Sequence, residues 1–163
     1  YIGDWSSDVC SSDLSDAGTP VLSDPGNIII NECINQGYDI FTIPGPSSIT
    51  AAVSLSGFSD KFLFYGFLPK TENELNKCLQ KINVEDCSIV FFIPAIKINF
   101  YIKYFKKYFP GRKIFIAREM TKKYETFYRY EVNKMKTFNT PIKGELTVVI
   151  SKKINKEIGR AHV

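Results

Sequence analysis

Apolar runs of strand length alternate with stretches of helical period along nearly the whole chain, and that rhythm constrains the fold more than any other feature. Phe62 to Phe67, Ser88 to Ile93, Lys113 to Ala117 and Glu145 to Ile150 read as strands, and Phe127 to Val132 adds another. Between them, Thr71 with Glu74 three residues on is a capping-box start for a helix running to about Ile82. Ile98, Tyr101, Ile102, Phe105 and Phe109 recur at helical spacing, with Lys103, Lys106 and Lys107 largely off that stripe, and Pro110-Gly111 ends the helix. Upstream, Asn27 to Gln36 reads as a helix closed by Gly37, and Asp39 to Ile43 as a short strand leading into Pro44-Gly45-Pro46. Ser47 or Ser48 caps a further helix through Leu55, ended by Gly57. The pattern predicts an α/β fold whose sheet is largely parallel in its first half, with Phe62 to Phe67 buried in it. A break between two domains is expected near Gly66 to Lys70, where a strand gives way to a Pro-containing loop.

The two ends do not share this pattern. Asp8-Val9-Cys10-Ser11-Ser12-Asp13 can be encoded by GAC GTG TGC TCT TCC GAT, whose reverse complement, ATC GGA AGA GCA CAC GTC, reads Ile158-Gly159-Arg160-Ala161-His162-Val163. Selection on a fold gives no reason for such complementarity, whereas a cloning or sequencing adapter does. Residues 1–14 and 158–163 are therefore read as adapter-derived and set aside. With them go Trp5, His162 and Cys10, so histidine chemistry is not expected of residues 15–157.

Of 21 basic and 17 acidic residues, setting aside Arg160 and Asp4, Asp8 and Asp13 leaves 20 and 14. The surplus is uneven: Ser15 to Ile96 holds 4 basic and 9 acidic residues, Lys97 to Lys136 holds 12 and 3. A basic half beside an acidic one points to a polyanion partner, although a solvated lysine-rich face has the same composition. Cys33, Cys78 and Cys87 lack metal-ligand spacing and read as buried thiols in a reducing compartment, with no metal expected. No apolar run approaches the ~18 residues that a membrane span needs, so a cytoplasmic location without membrane contact is expected.

Two segments carry the chemistry of a ligand site. Ser15-Asp16-Ala17-Gly18-Thr19-Pro20-Val21-Leu22-Ser23-Asp24-Pro25-Gly26 combines Gly/Pro turns that expose backbone N–H groups with carboxylates at a loop rim. Pro44-Gly45-Pro46-Ser47-Ser48 joins a strand to a helix, where small residues let a ligand approach and the helix N-terminus favours a carboxylate. Ordinary turns share both compositions. In an open α/β sheet, however, ligands sit at the C-terminal ends of strands, where both loops are expected.

Taken in order, Ser15 to Gly26, Pro44 to Ser48 with Ala51, Ala52 and Gly57, Phe62 to Lys70, Ala117 to Lys122, and Gly144-Glu145 resemble the ribosomal RNA small subunit methyltransferase I family of the tetrapyrrole methylase superfamily. The resemblance implies a two-domain tetrapyrrole-methylase-like α/β fold with the first domain incomplete, 15–66 being its remainder and 67–157 the second domain. It implies methyl transfer from S-adenosylmethionine to a cytidine 2′-hydroxyl of small-subunit ribosomal RNA, with the small ribosomal subunit as partner and a homodimer as assembly. By the same resemblance Asp16, Ala17, Gly18, Thr19, Pro20 and Leu22 line the donor site and Ser47 and Ser48 flank its methionine portion. Phe92, Ile93, Pro94 and Ala117 close the pocket from the second domain. The chain also departs from the pattern. The family's segment ahead of the Ser15 motif is absent, its Tyr-Glu-Ser-Pro-His-Arg motif stands here as Phe91 to Ile96 with Lys97 in the arginine's place, and Tyr124 replaces a histidine. On that ground the fragment by itself is expected to be inactive.

Displacement of a sulfonium by a hydroxyl depends mainly on alignment, and a base assists it. Asp16, Glu119, Lys122 and Glu125 are the candidates, and the resemblance favours Glu119 and Lys122. A strand-end ion pair, Arg118 with Glu119 or Lys122 with Glu125, is the competing structural reading. Lys103, Lys106, Lys107, Arg112, Lys123 and Arg129 are expected to meet RNA phosphates. Two rivals stand beside this expectation: a tetrapyrrole methyltransferase, and an RNA-binding relative without catalysis.

Overall fold

A computed structural model describes residues 21–23 and 26–153, which divide by contact into two compact units between Ser47 and Ser48. In the first unit, helix α1 (Asn27–Asn35) follows Gly26 and ends at Gln36. Its stop is a Schellman motif: Gly37 takes φ 76°, its N–H bonds to Ile34 O at 3.1 Å, and Tyr38 N–H bonds to Cys33 O at 3.0 Å. The strand expected at Asp39–Ile43 does not form. A strand exists only as part of a ladder, and among the described residues no strand pairs with this segment, which leaves Phe41 87% and Ile43 91% exposed.

The second unit opens with α2 (Ser48–Ser56) and continues β1 (Phe62–Phe67), α3 (Glu72–Ile82), β2 (Ser88–Pro94), a 3-10 turn (Ala95–Lys97), α4 (Ile98–Tyr108), β3 (Lys113–Arg118), β4 (Thr126–Glu131), a second 3-10 turn (Val132–Lys134) and β5 (Glu145–Ile150). The five strands form one sheet in the order β1-β2-β5-β3-β4. Only β1 and β2 are parallel neighbours, because β5 enters antiparallel between β2 and β3. Strands β1, β2 and β3 nevertheless run in the same direction, so their C-terminal ends share one edge. Since β1 is bonded to β2 in this sheet, the break expected near Gly66 to Lys70 falls inside one unit.

Period-two alternation sends the strand side chains to two different layers. Ile89, Phe91, Ile93, Ile114, Ile116, Leu146, Val148 and Ile150 face α3 and α4, forming the larger core with Leu75, Leu79, Tyr101 and Phe105. Val90, Phe115, Ala117 and Val149 face Ile49 and Ala52 of α2. Each fully buried Leu, Ile or Phe contributes roughly 1.5–3 kcal/mol of transfer free energy, so the larger layer dominates. Helix α3 begins at Thr71, whose Oγ1 donates to Glu74 Oε2 at 2.7 Å, and it buries Leu75, Cys78, Leu79 and Ile82 at helical spacing. Strand β1 is an edge strand rather than a buried one. Phe62, Tyr65 and Phe67 are 37%, 40% and 43% exposed, and a bulge between Phe64 and Gly66 interrupts its register with β2.

Candidate active site

The edge where β1, β2 and β3 end also receives the start of β5, and it gathers the motif segments Ala117 to Lys122 and Gly144-Glu145. Pro94 pairs with Glu145 and Arg118 with Leu146, which sets Gly144-Glu145 between the ends of β2 and β3. Two hydrogen bonds lock this arrangement: Ala95 N–H donates to Gly144 O at 2.9 Å, and Arg118 Nε donates to Lys143 O at 2.9 Å. Past the end of β3 the chain turns sharply, with Glu119 at φ 50° and Thr121 at φ 65°, a left-handed conformation uncommon for residues with a Cβ. The turn is closed by Lys122 N–H on Glu119 O at 2.9 Å and by Thr121 N–H on the Glu125 carboxylate at 2.7 Å.

Glu119 is the enclosed carboxylate of this edge. Its side chain is 22% exposed and lies against Gly144, with Lys122 Nζ 3.9 Å from its Oε1. Neither strand-end pair expected from the sequence forms, because Arg118 is engaged by a carbonyl and Glu125 caps a backbone amide. The Lys122–Glu119 pair is long and the lysine is 62% exposed, so it contributes about 0–1 kcal/mol and leaves both groups available for chemistry.

The residues expected to hold the donor are partly brought together. Phe92 and Pro94 are half-buried at the end of β2, and the Phe92 ring meets Phe64 and Phe67, each at 5.2 Å between centroids. Ala117, 1% exposed, packs in the α2 layer and forms a floor. Ile93 is a correction: alternation turns its side chain to the opposite face, fully buried under α3 and α4. Ser48 is the exposed first residue of α2. In the first unit, Leu22 is half exposed between Val21 and Ser23, which take φ 73° and 64°, and Ser47 is half-buried. Asp16, Ala17, Gly18, Thr19 and Pro20 lie outside the described residues, as does the expected convergence of the Ser15 turn with the Pro44 turn.

The six expected RNA contacts do not form one surface. Lys103, Lys106 and Lys107 are exposed on α4; Lys103 pairs with Glu72 at 2.9 Å over the Tyr104 ring, and Lys107 donates to Asn76 Oδ1 at 3.3 Å. The Glu72 carboxyl is held below its ordinary range by its hydrogen bond from Lys103. Lys123 is exposed over Tyr124. Arg129 belongs to the α2 side of the sheet, where its Nη2 donates to Leu55 O at 2.7 Å and its guanidinium sits over Phe115. Arg112 is not a surface cation at all. It is 2% exposed, stacks on Phe109, and donates from Nη2 to Asn83 O at 2.8 Å and Asn83 Oδ1 at 3.0 Å. Burial pulls its pKa down.

Sequence reasoning missed what Arg118 and Gly144 do. Both stand in the recognised motifs, but a carbonyl contact across 25 residues has no local signature. An open concavity of about 370 Å³ lined by Gly57, Phe58, Asp86, Lys113, Ser151, Lys152 and Lys153 lies at the other edge, where β2 and β3 begin. It contains none of the motif residues of the Glu119 cluster. Among the described residues no cluster of side chains could hold a metal ion, and no helix is long and apolar enough to cross a membrane.

Comparison with known proteins bears on this edge. The family described as Tetrapyrrole (Corrin/Porphyrin) Methylases matches residues 14–136. Ribosomal RNA small subunit methyltransferase I of Thermotoga maritima is 40% identical over 143 residues, covering 86% of this chain and 64% of that protein. The protein of the same name from Rickettsia prowazekii is 36% identical over 151 residues, covering 89% and 54%. The chain thus spans between about half and two thirds of the length of these relatives. Among solved structures, the methyltransferase CobJ superposes with a TM-score of 0.62 at 19% identity, covering 87% of this chain and 64% of that one. Uroporphyrin-III C-methyl transferase from Thermus thermophilus, complexed with S-adenyl homocysteine, gives 0.53 at 12% identity, covering 82% and 62%. These structures share the fold.

Proposed function

The chain belongs to the tetrapyrrole (corrin/porphyrin) methylase family, and from that premise we propose that it is part of an enzyme that methylates a cytidine 2′-hydroxyl of small-subunit ribosomal RNA with S-adenosylmethionine. The observation that carries the choice of substrate is the 40% identity over 143 residues to a protein named for ribosomal RNA. Likeness to the methyltransferase CobJ and to uroporphyrin-III C-methyl transferase stays at 12–19% identity and speaks for shared architecture alone. A homodimer belongs to the same reading and rests on resemblance, and a cytoplasmic location is proposed with it. The first motif and the Pro44 turn are its remaining parts, with Asp16 to Pro20, Leu22, Ser47 and Ser48 assigned to the donor.

The described residues fit a sulfonium donor. Phe92 and Pro94 are half-buried apolar residues at the end of β2, the Glu119 carboxylate stands past the end of β3 at the same sheet edge, and a sulfonium's positive charge is attracted by a ring face and by a carboxylate. When bound, the donor supplies an electrophilic methyl group and departs as a neutral thioether. With the donor bound, the ribose oxygen would gain the O–C bond as the C–S bond breaks, and Glu119 would take the hydroxyl proton. Lys122 Nζ stands 3.9 Å from that carboxylate. The exposed lysines of α4, Lys103, Lys106 and Lys107, meet phosphates.

The test is methyl transfer by the gene product extended to its relatives' length, given labelled donor and either small-subunit ribosomal RNA or a carboxylated tetrapyrrole. Label recovered as 2′-O-methylcytidine is the expected result. Label in the macrocycle supports the tetrapyrrole reading instead, and RNA binding without any donor binding supports a module without catalysis.

A further inference from the structure

Gly37, Gly57, Gly111 and Gly144 all have positive φ, but they differ in what surrounds them. A Cβ built on Gly37, Gly57 or Gly111 would project into open space, so turn geometry alone accounts for those glycines. At Gly144, with φ 96°, a Cβ would overlap Glu119 Oε1 and lie 2.9 Å from its Cδ and 3.3 Å from its Cγ. The three nearest atoms all belong to one side chain, the part-buried carboxylate at the end of β3.

The surroundings of Gly144 are held from both sides. Its carbonyl receives Ala95 N–H from the end of β2, and the carbonyl before it receives Arg118 Nε from the end of β3. The backbone of Glu119 is held in turn by the left-handed bend and by Lys122 N–H on its carbonyl. With both backbones held, the soft degree of freedom is the Glu119 side chain. We propose that Gly144 is a positioning residue whose bare Cα forms the berth that sets the Glu119 carboxylate in place for the methyl-transfer step. The proposal rests on the reading of Glu119 as proton acceptor and goes further, because it assigns a role to a residue without a side chain.

A larger side chain at 144 carries the positive-φ strain that Gly111 shares and, beyond it, would displace the carboxylate, since the obstructing atoms are the far end of a flexible chain. A shift of about 1 Å in a reacting group costs on the order of 10²-fold in rate. The experiment uses the gene product at its relatives' length, with Gly144→Ala, Glu119→Gln, the double variant, and Gly111→Ala as a control for positive φ without a neighbour. Expected are falls in kcat on the order of 10²-fold for Gly144→Ala and for Glu119→Gln, with KM for RNA and donor changed less than about twofold. The double variant should be no slower than Glu119→Gln alone, and Gly111→Ala should resemble the parent. Equal factors multiplying in the double variant, or an effect of Gly144→Ala confined to KM, would overturn the proposal. The Glu119 carboxyl ¹³C resonance supplies a readout independent of turnover: it should move in Gly144→Ala and stay in Gly111→Ala. A parent protein that transfers no methyl to RNA would refute the proposed function, while an unmoved resonance would refute the berth.

Discussion

Replacing Arg112 by methionine separates a structural cation from an RNA-binding one. The substitution keeps an unbranched side chain in the buried slot and deletes the guanidinium. Two hydrogen bonds to Asn83, at 2.8 and 3.0 Å, disappear, together with a longer one to Ser151 O at 3.4 Å and the stacking on Phe109. Hydrogen bonds from a charged donor contribute about 1.5–3 kcal/mol each, and acceptors left buried without partners add to the loss. Against this stands the desolvation of the cation, visible in its lowered pKa, which the substitution removes. The net loss should be about 2–4 kcal/mol, or a fall in Tm on the order of 10 °C for a chain of this size. Urea unfolding of the variant and the parent gives the stability term. Titration of RNA affinity against salt gives the other: Arg112→Met should leave the slope of log K against log salt unchanged, whereas Lys106→Ala should reduce it by about 0.7–0.9. A variant as stable as the parent with a slope reduced by that amount would show that Arg112 meets a phosphate and that the buried placement is wrong.

Three further outcomes follow from the packing and the titrating groups. Leu79→Ala, at a fully buried position between α3 and the sheet, should cost about 2–5 kcal/mol in urea unfolding, while the same change at Leu55, 43% exposed, should cost under about 1 kcal/mol. Arg129→Gln should lower stability by about 1 kcal/mol through loss of its bond to Leu55 O at the end of α2, leaving RNA affinity nearly untouched. The neighbouring Cys78 thiol, followed by burial, pushes the Tyr65 pKa up from 10.0 to about 12. The fold thus favours the neutral phenol, so the associated stability is full below pH 10 and is lost as pH rises from 10 toward about 12. Alkaline spectrophotometric titration should find this late tyrosine, and Tyr65→Phe should abolish that part of the pH dependence; a Tyr65 that titrates at its ordinary value would sink the account.

Secondary structure was legible wherever the local pattern and the tertiary burial agreed. Thr71, Glu74 and the Leu75–Cys78–Leu79–Ile82 stripe mark α3 in sequence and in space, and the same holds for the aromatic stripe of α4. Periodicity carries no information about partners, however. That is why Asp39–Ile43 read as a strand although no described strand pairs with it, and why Phe62–Phe67 read as buried although it lies at the sheet edge. The insertion of β5 between β2 and β3 is likewise a long-range choice, invisible in either segment alone. In the site, the family resemblance pointed to Glu119, Lys122 and the Gly144-Glu145 motif, but charge counting placed Arg112 on the surface. A guanidinium satisfied by carbonyls from Asn83 and Ser151 looks the same in sequence as one facing water.

The central claim is that the edge formed by the ends of β2 and β3 and the start of β5 receives the methyl donor. Titrating ¹⁵N-labelled gene product, at its relatives' length, with S-adenosylhomocysteine tests it most directly. The amide resonances of Ala117, Glu119 and Gly144 should shift and saturate together. Shifts confined to Gly57, Lys113 and Ser151 at the other edge, or no shifts at saturating ligand, would contradict the account.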